Sequence, residues 1–187
     1  YSEGKELFAE EFAIEYYKKE GYRAIWSEND YWSELMSLLF WDVIFARVPG
    51  AWNNGLDIRF ELNPSDPKFD ELFEFVSNMN GMPSDFFTPN FYMRRKEHYG
   101  KTCRPIENWD KFSLKQLLIP VNRMKKTNFL KIIERLLYNF SVNRAGLPDL
   151  IVYNNDKMFF SEVKSENDRI SVKQQEWHSF LFEELKM

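Results

Sequence analysis

The stretch that decides the fold runs from Gly146 to Gln175, GLPDLIVYNNDKMFFSEVKSENDRISVKQQ. Gly146 and Pro148 punctuate the chain just before Asp149. Leu150-Ile151-Val152-Tyr153 is a short apolar run rich in β-branched and aromatic residues, the composition of a buried strand. Asn154-Asn155-Asp156 supplies turn chemistry, and Met158 to Lys164 reads as a second strand, so the two predict a hairpin. Antiparallel pairing sets the start of one strand beside the end of the other. Asp149 is therefore expected close to Glu162 and Lys164. These last two are separated by one residue and share a face of the strand, with Val163 on the opposite face. Two carboxylates in one site stay ionised when a cation lies between them, and oxygen ligands suit Mg²⁺ or Mn²⁺. A lysine beside such a metal orients and helps deprotonate a water, or stabilises developing negative charge. That is the chemistry of phosphodiester hydrolysis. On these residues alone a solvated hairpin with alternating Glu and Lys stands as the alternative.

The chain has 187 residues, 44% of them hydrophobic and 18% aromatic, which describes a folded domain with a substantial core and not a disordered segment. The single cysteine, Cys103, excludes an internal disulfide and a cysteine-cluster zinc site, and suits a reducing, intracellular setting. With only His98 and His178 present, a histidine-rich metal site is excluded as well. No apolar run reaches the length of about eighteen residues that a membrane span requires, and the acidic, amphipathic start does not read as a signal peptide. A net charge of −4 argues against a chain that clings to nucleic acid over its whole surface. Local basic clusters remain: Arg94-Arg95-Lys96, Arg123 with Lys125-Lys126, Lys131 with Arg135, then Arg144, Arg169 and Lys173. For each of them a solvated helix face is the plainer reading.

Residues 3–20 predict an amphipathic helix whose stripe Phe8, Phe12 and Tyr16 faces a core, with Gly21 as its C-terminal stop. A brief extended segment follows over Tyr22 to Trp26. An apolar helix over Tyr31 to Ala46, buried on most sides, comes next. Glu28 precedes it, where an acidic residue favours the helix dipole. Asp42, inside that helix, reads as a satisfied polar partner. Loops are expected at Pro49–Gly55 and Asn63–Pro67, helical spacing over 68–80, and a helix start at Pro83-Ser84-Asp85. Ser113 with Gln116 forms a capping box. Asn128 is expected to cap a helix that runs to Phe140, with Phe129, Ile132, Ile133, Leu136, Leu137 and Phe140 on its apolar face. A further helix starts near Ser171.

The pattern P-D-(x)n-E-x-K is that of the PD-(D/E)xK nucleases. The run GLPDLIV, then EVKSENDRIS, then KQ and a Trp, resembles the VRR-NUC domain family, and within it the Fanconi-associated nuclease branch. Leu38-Leu39-Phe40-Trp41-Asp42-Val43-Ile44-Phe45 is similar to the Leu-rich run that follows an acidic residue in that branch. The resemblance implies that Glu28, Asp149 and Glu162 are metal ligands with the Val163 carbonyl, that Lys164 positions the attacking water, and that Gln174 holds a ligand or the water. It places Lys173 and Arg144 at basic positions that contact phosphates, with plain surface charge as the alternative. Trp177 reads as core. Glu28 thus carries two readings, helix-dipole partner and ligand.

The fold expected is α/β, a restriction-endonuclease-like core with a small mixed sheet flanked by helices and a mostly helical insertion. One domain over 1–187 is expected: N-terminal helices with Glu28 over 1–48, the insertion over 49–140, and the catalytic hairpin with its helix over 141–187. The start at Tyr1 and the end at Met187 suggest a fragment truncated at its C-terminus, since family members continue into at least one more strand. The function implied is a structure-specific endonuclease or exonuclease, a Mg²⁺- or Mn²⁺-dependent phosphodiesterase with one or two ions. It would act on branched or 5′-flap DNA in interstrand-crosslink or other repair. A single-subunit enzyme located with DNA inside the cell is expected. A homodimeric Holliday-junction resolvase, a non-cleaving DNA-binding module and a wholly structural or protein-interaction domain are the alternatives.

Overall fold

The computed structural model describes residues 8–28, 30–41, 87–101, 106–165 and 168–187. In chain order its elements are α1 (Ala9–Lys19), β1 (Arg23–Trp26), α2 (Asp30–Leu39), α3 (Phe87–His98), α4 (Leu114–Leu117), α5 (Ile119–Arg123), α6 (Lys126–Tyr138), α7 (Phe140–Asn143), β2 (Leu150–Tyr153), β3 (Met158–Ser161) and α8 (Val172–Ser179). A π-helical turn, Phe180–Glu184, extends α8. Two compact units result, Tyr1–Asn29 with Ala145–Met187, and Asp30–Arg144.

The first unit is built on a three-stranded sheet in the order β1-β2-β3. Both pairings are antiparallel, with Trp26 opposite Leu150 and Leu150 opposite Ser161. The mixed sheet expected from the sequence is thus wholly antiparallel among the described residues. Central β2 is buried along its whole length, Leu150 to Tyr153, because its continuous apolar run is covered on both faces. Trp177, Phe180, Leu181 and Leu185 add the core side chains of α8 and the turn after it. β3 stops at Ser161, so Glu162 to Lys164 continue past the strand instead of lying in it as expected.

Helix α1 ends as its sequence predicts. Gly21 adopts φ 81°, its N–H donates to the Lys18 carbonyl, and the Tyr22 N–H donates to the Tyr17 carbonyl at 2.9 Å. These two bonds satisfy carbonyls left open at a helix end. The face is different from the one expected. Phe8, Phe12 and Tyr16 are 73%, 56% and 54% exposed. Tyr17 makes the packed contacts, edge-on to Phe159 at 5.7 Å, with its hydroxyl 2.9 Å from Ser161 Oγ. A four-residue spacing marks an aromatic stripe, but the sheet is met by the neighbouring side chain, whose hydroxyl finds a partner there.

In the second unit α2 is buried from Tyr31 to Leu39, its polar Ser33, Glu34 and Ser37 included. The apolar face of α6 is buried at Phe129, Ile132, Ile133, Leu136 and Leu137. Ser113 and Gln116 form the predicted capping box, each side chain accepting from the other's backbone N–H. Asn128 does not cap α6. The helix starts after Lys125, whose carbonyl accepts from the Asn128 N–H. It is Asn139 that caps, accepting from Val142 N–H at the start of α7.

Arg94 and Arg95 are turned inward instead of forming a solvated face. Arg94 donates to the Leu38 and Leu39 carbonyls at the end of α2, where a cation favours the dipole. Arg95 pairs with the buried Glu34 and donates to the Trp109 and Phe112 carbonyls. Burial pushes the Glu34 carboxyl up to about 7, outweighing the opposing pull of Arg95. The expectations for Asp42, Cys103, the loops at 49–55 and 63–67, the helical spacing over 68–80 and the helix start at 83–85 lie outside the described residues. Among the described residues no helix is long and apolar enough to cross a membrane.

Candidate active site

The ladder registers carry the site. Continuing them one step past Trp26–Leu150 and Leu150–Ser161 sets Ser27, Asp149 and Glu162 side by side at one end of the sheet. The first step is realised as a bond from Ser27 N–H to the Asp149 carbonyl at 2.7 Å. On the other side, Asp149 Oδ2 accepts from the Val163 N–H at 2.8 Å. Asp149 is buried at 8% exposure, and this backbone donor fixes its carboxylate.

Glu162 is the centre of the cluster. Its side chain is 6% exposed, and Oε1 lies 2.8 Å from Lys164 Nζ. The same oxygen accepts from Gln174 Nε2 at 2.5 Å. Glu162 Oε2, equally buried, has no hydrogen-bond partner. Burial pushes this carboxyl above its usual 4.5; the hydrogen bond from Lys164 opposes that, and the charge of Asp149 adds to it. Its hydrogen bond to Glu162 in turn raises the Lys164 ammonium above its usual 10.5. The lysine is thereby held as a cation next to two carboxyl groups. A buried oxygen with no donor is costly in isolation, and a cation at Oε2 would relieve it.

Gln174 reaches Glu162 from the first turn of α8 because Ser171 caps that helix. Ser171 Oγ accepts from Gln174 N–H at 3.2 Å, and Gln174 Oε1 accepts from Ser171 N–H at 2.9 Å. One amide therefore closes the capping box with its oxygen and holds Glu162 with its nitrogen. Gly146 makes this approach possible. At φ 97°, a Cβ on it would lie 2.9 Å from the carbonyl carbon of Lys173 and 3.0 Å from Gln174 N.

The sequence-derived residues are thus brought together in part. Asp149, Glu162, Val163, Lys164 and Gln174 form one bonded cluster. Lys173 is half-buried on α8 beside Gln174. Glu28 is exposed on the turn directly after Ser27. No group of three or more His, Cys, Asp or Glu side chains is gathered closely enough for a metal among the described residues. Arg144 lies in the other unit, exposed, its guanidinium 6.0 Å from the Phe140 ring centre. Ser27 was missed. Its role depends on the register of β1 against β2, which residue type alone does not reveal.

The VRR-NUC domain profile matches residues 88–184, just over half of the chain. A Fanconi-associated nuclease 1 homolog of Schizosaccharomyces pombe is 30% identical over 186 residues, covering 94% of this chain and 25% of the relative. The homolog of Arabidopsis thaliana is 27% identical, covering 94% of this chain and 20% of its own length. Fanconi-associated nuclease 1 of Homo sapiens is 29% identical over 178 residues, with 90% and 17% covered. This chain therefore spans a quarter or less of the length of these curated relatives. Crystal structures of paFAN1 bound to 2-nucleotide and 1-nucleotide 5′-flap DNA with a gap share the fold, each with TM-score 0.77. Identities are 24% and 22%, covering 96% and 97% of this chain and 33% and 34% of those chains. With the profile matching more than half of its residues, the chain belongs to the VRR-NUC domain family.

Proposed function

We propose that this chain is a metal-dependent, structure-specific nuclease that hydrolyses phosphodiesters of branched or 5′-flap DNA in repair. The observation that carries the reading is the buried, unpartnered Glu162 Oε2 within the Asp149–Glu162–Lys164–Gln174 cluster. The donors are all oxygens, the set that a hard divalent cation takes. Asp149, Glu162 and the Val163 carbonyl would hold Mg²⁺ or Mn²⁺, one ion or two, and Glu28 would join them from the turn after β1. When bound, such an ion lowers the pKa of water and offsets charge on a phosphoryl oxygen.

The chain's own residues do the rest. Gln174 ties Oε1 of Glu162, which leaves Oε2 as the oxygen free to bind. The Val163 N–H holds the Asp149 carboxylate in register with it. Lys164, kept charged by Glu162, orients the attacking water and stabilises negative charge as it builds on the phosphate. Lys173 and Arg144 contact backbone phosphates, which position DNA without reading its sequence. The 5′-flap DNA held by paFAN1 supports the choice of substrate class. A monomer located with DNA inside the cell is the form proposed.

The test is cleavage of a labelled 5′-flap DNA beside an intact Holliday junction, with Mn²⁺ or chelator, by wild type and Glu162→Ala. Metal-dependent cutting of the flap that disappears in the variant is expected. Cutting of the junction alone would assign the chain to resolvases. Cutting that survives in Glu162→Ala would remove the site from the mechanism.

A further inference from the structure

The Ser27 hydroxyl is fully buried and makes contacts that no catalytic step requires. Its Oγ lies 3.2 Å from the Pro148 carbonyl and 3.2 Å from the Asp149 carbonyl. Its backbone N–H donates to the same Asp149 carbonyl at 2.7 Å. Three contacts from one residue thus converge on two successive peptide units, those that set the direction of the Asp149 side chain. Ser27 is also covalently joined to Glu28. The bonded path continues from Asp149 Oδ2 to the Val163 N–H, between Glu162 and Lys164.

We propose that Ser27 is a positioning residue that locks the backbone carrying Asp149 to the backbone carrying Glu28, so that both carboxylates are presented to the divalent cation as one rigid unit. The inference rests on the nuclease reading for its metal, and on geometry alone for the lock. β1 ends at Trp26 and β2 starts at Leu150. The Ser27 N–H carries the pairing one residue past both strands, and its hydroxyl adds contacts to the Pro148 and Asp149 carbonyls where the site begins. A serine is suited to this because its small hydroxyl donates to a carbonyl while its N–H continues the strand pairing. Groups that orient metal ligands in this way change metal affinity or activity by about 10- to 100-fold when removed.

Ser27→Ala removes the hydroxyl and leaves the N–H bond. Ser37→Ala is the control for loss of a buried hydroxyl, since Ser37 Oγ is fully buried and donates to the Ser33 carbonyl at 2.6 Å within α2. Three quantities are measured on the chain as it stands: melting temperature, Mn²⁺ affinity by calorimetry, and exchange of the Val163 amide by NMR. Both variants are expected to melt a few degrees below wild type. Ser27→Ala alone should bind Mn²⁺ about tenfold more weakly and exchange the Val163 amide several-fold faster. Where cleavage is measurable, its kcat should fall while KM for DNA stays within about twofold.

Equal melting losses, with Mn²⁺ affinity and Val163 exchange unchanged in both variants, would reduce Ser27 to a satisfied core hydroxyl and overturn the lock. Wild type that binds no Mn²⁺ would instead overturn the nuclease reading. Faster Val163 exchange in Ser27→Ala would then still establish the lock, and unchanged exchange would refute it.

Discussion

Replacing Gly146 by alanine tests how the loop before Asp149 and the helix carrying Gln174 depend on each other. At φ 97° an L-residue is strained, a cost on the order of 1–2 kcal/mol. The added Cβ would also meet the Lys173 carbonyl carbon and Cβ at 2.9 Å and Gln174 N at 3.0 Å. Two of those three atoms are backbone in the first turn of α8, so no flexible side chain can swing clear. Overpacking of this kind costs roughly 1–3 kcal/mol. The reduced freedom of the unfolded chain offsets about 0.4–1 kcal/mol. The net expectation is a loss of about 2–4 kcal/mol, combining those terms. The alternative response is a shift of the α8 N-terminus that draws Gln174 Nε2 away from Glu162 Oε1, now at 2.5 Å. Gly21→Ala separates the terms, because Gly21 also has a positive φ but nothing lies within 4 Å of the position its Cβ would take. Urea unfolding of both variants, followed by Mn²⁺ titration, measures the difference. Gly146→Ala should lose about 1–3 kcal/mol more than Gly21→Ala, or match its stability while binding Mn²⁺ more weakly. Two variants equal in both stability and Mn²⁺ affinity would refute the close-approach argument.

Three further outcomes are expected. The Glu34 carboxyl at about 7, against a usual 4.5, means that the folded chain keeps a proton there that the unfolded chain gives up. Its contribution is complete below pH 4.5 and is lost as pH rises through 7. The gap corresponds to about 3 kcal/mol, and urea unfolding of wild type and Glu34→Gln at pH 4.5, 5.5 and 7 should show the slope only in wild type. Lys164→Ala should preserve folding and Mn²⁺ binding while abolishing cleavage, and unchanged turnover would remove Lys164 from the mechanism. Asp149→Ala should weaken Mn²⁺ binding in calorimetry, and full affinity would contradict its assignment as a ligand.

The β2–β3 hairpin was legible because its signals are local. A four-residue apolar run, an Asn-Asn-Asp turn and a Glu-x-Lys spacing each follow from steric or hydrogen-bonding preferences within a few residues. Antiparallel pairing then leaves little choice about which residues meet. The capping box at Ser113 and the helix start near Ser171 were local in the same sense. What the sequence did not convey depends on partners far along the chain. The aromatic stripe of α1 has the right period for a buried face, yet period says nothing about which side meets the sheet. Arg94 and Arg95 read as a surface pair because their acceptors, the α2 carbonyls and Glu34, lie about sixty positions earlier.

The same distinction accounts for the anatomy of the site. Residues proposed to carry the chemistry stand out by type and spacing, since few side chains can hold a cation or steady an anionic phosphate. Residues that aim them do not. Ser27 and Gly146 are ordinary residue types whose importance comes from a register one step past a strand and from a 2.9 Å approach. A serine at the end of a β-strand and a glycine before a proline have many uses. Only the geometry shows that one fixes the peptide of Asp149 and that the other admits the helix that carries Gln174. Conversely, Glu28 is singled out only by the family likeness, and it is exposed on a turn while Asp149 and Glu162 are buried. If Glu28 joins the proposed metal site, it does so through the backbone it shares with Ser27, so loss of the Ser27 contacts should show first in Mn²⁺ affinity.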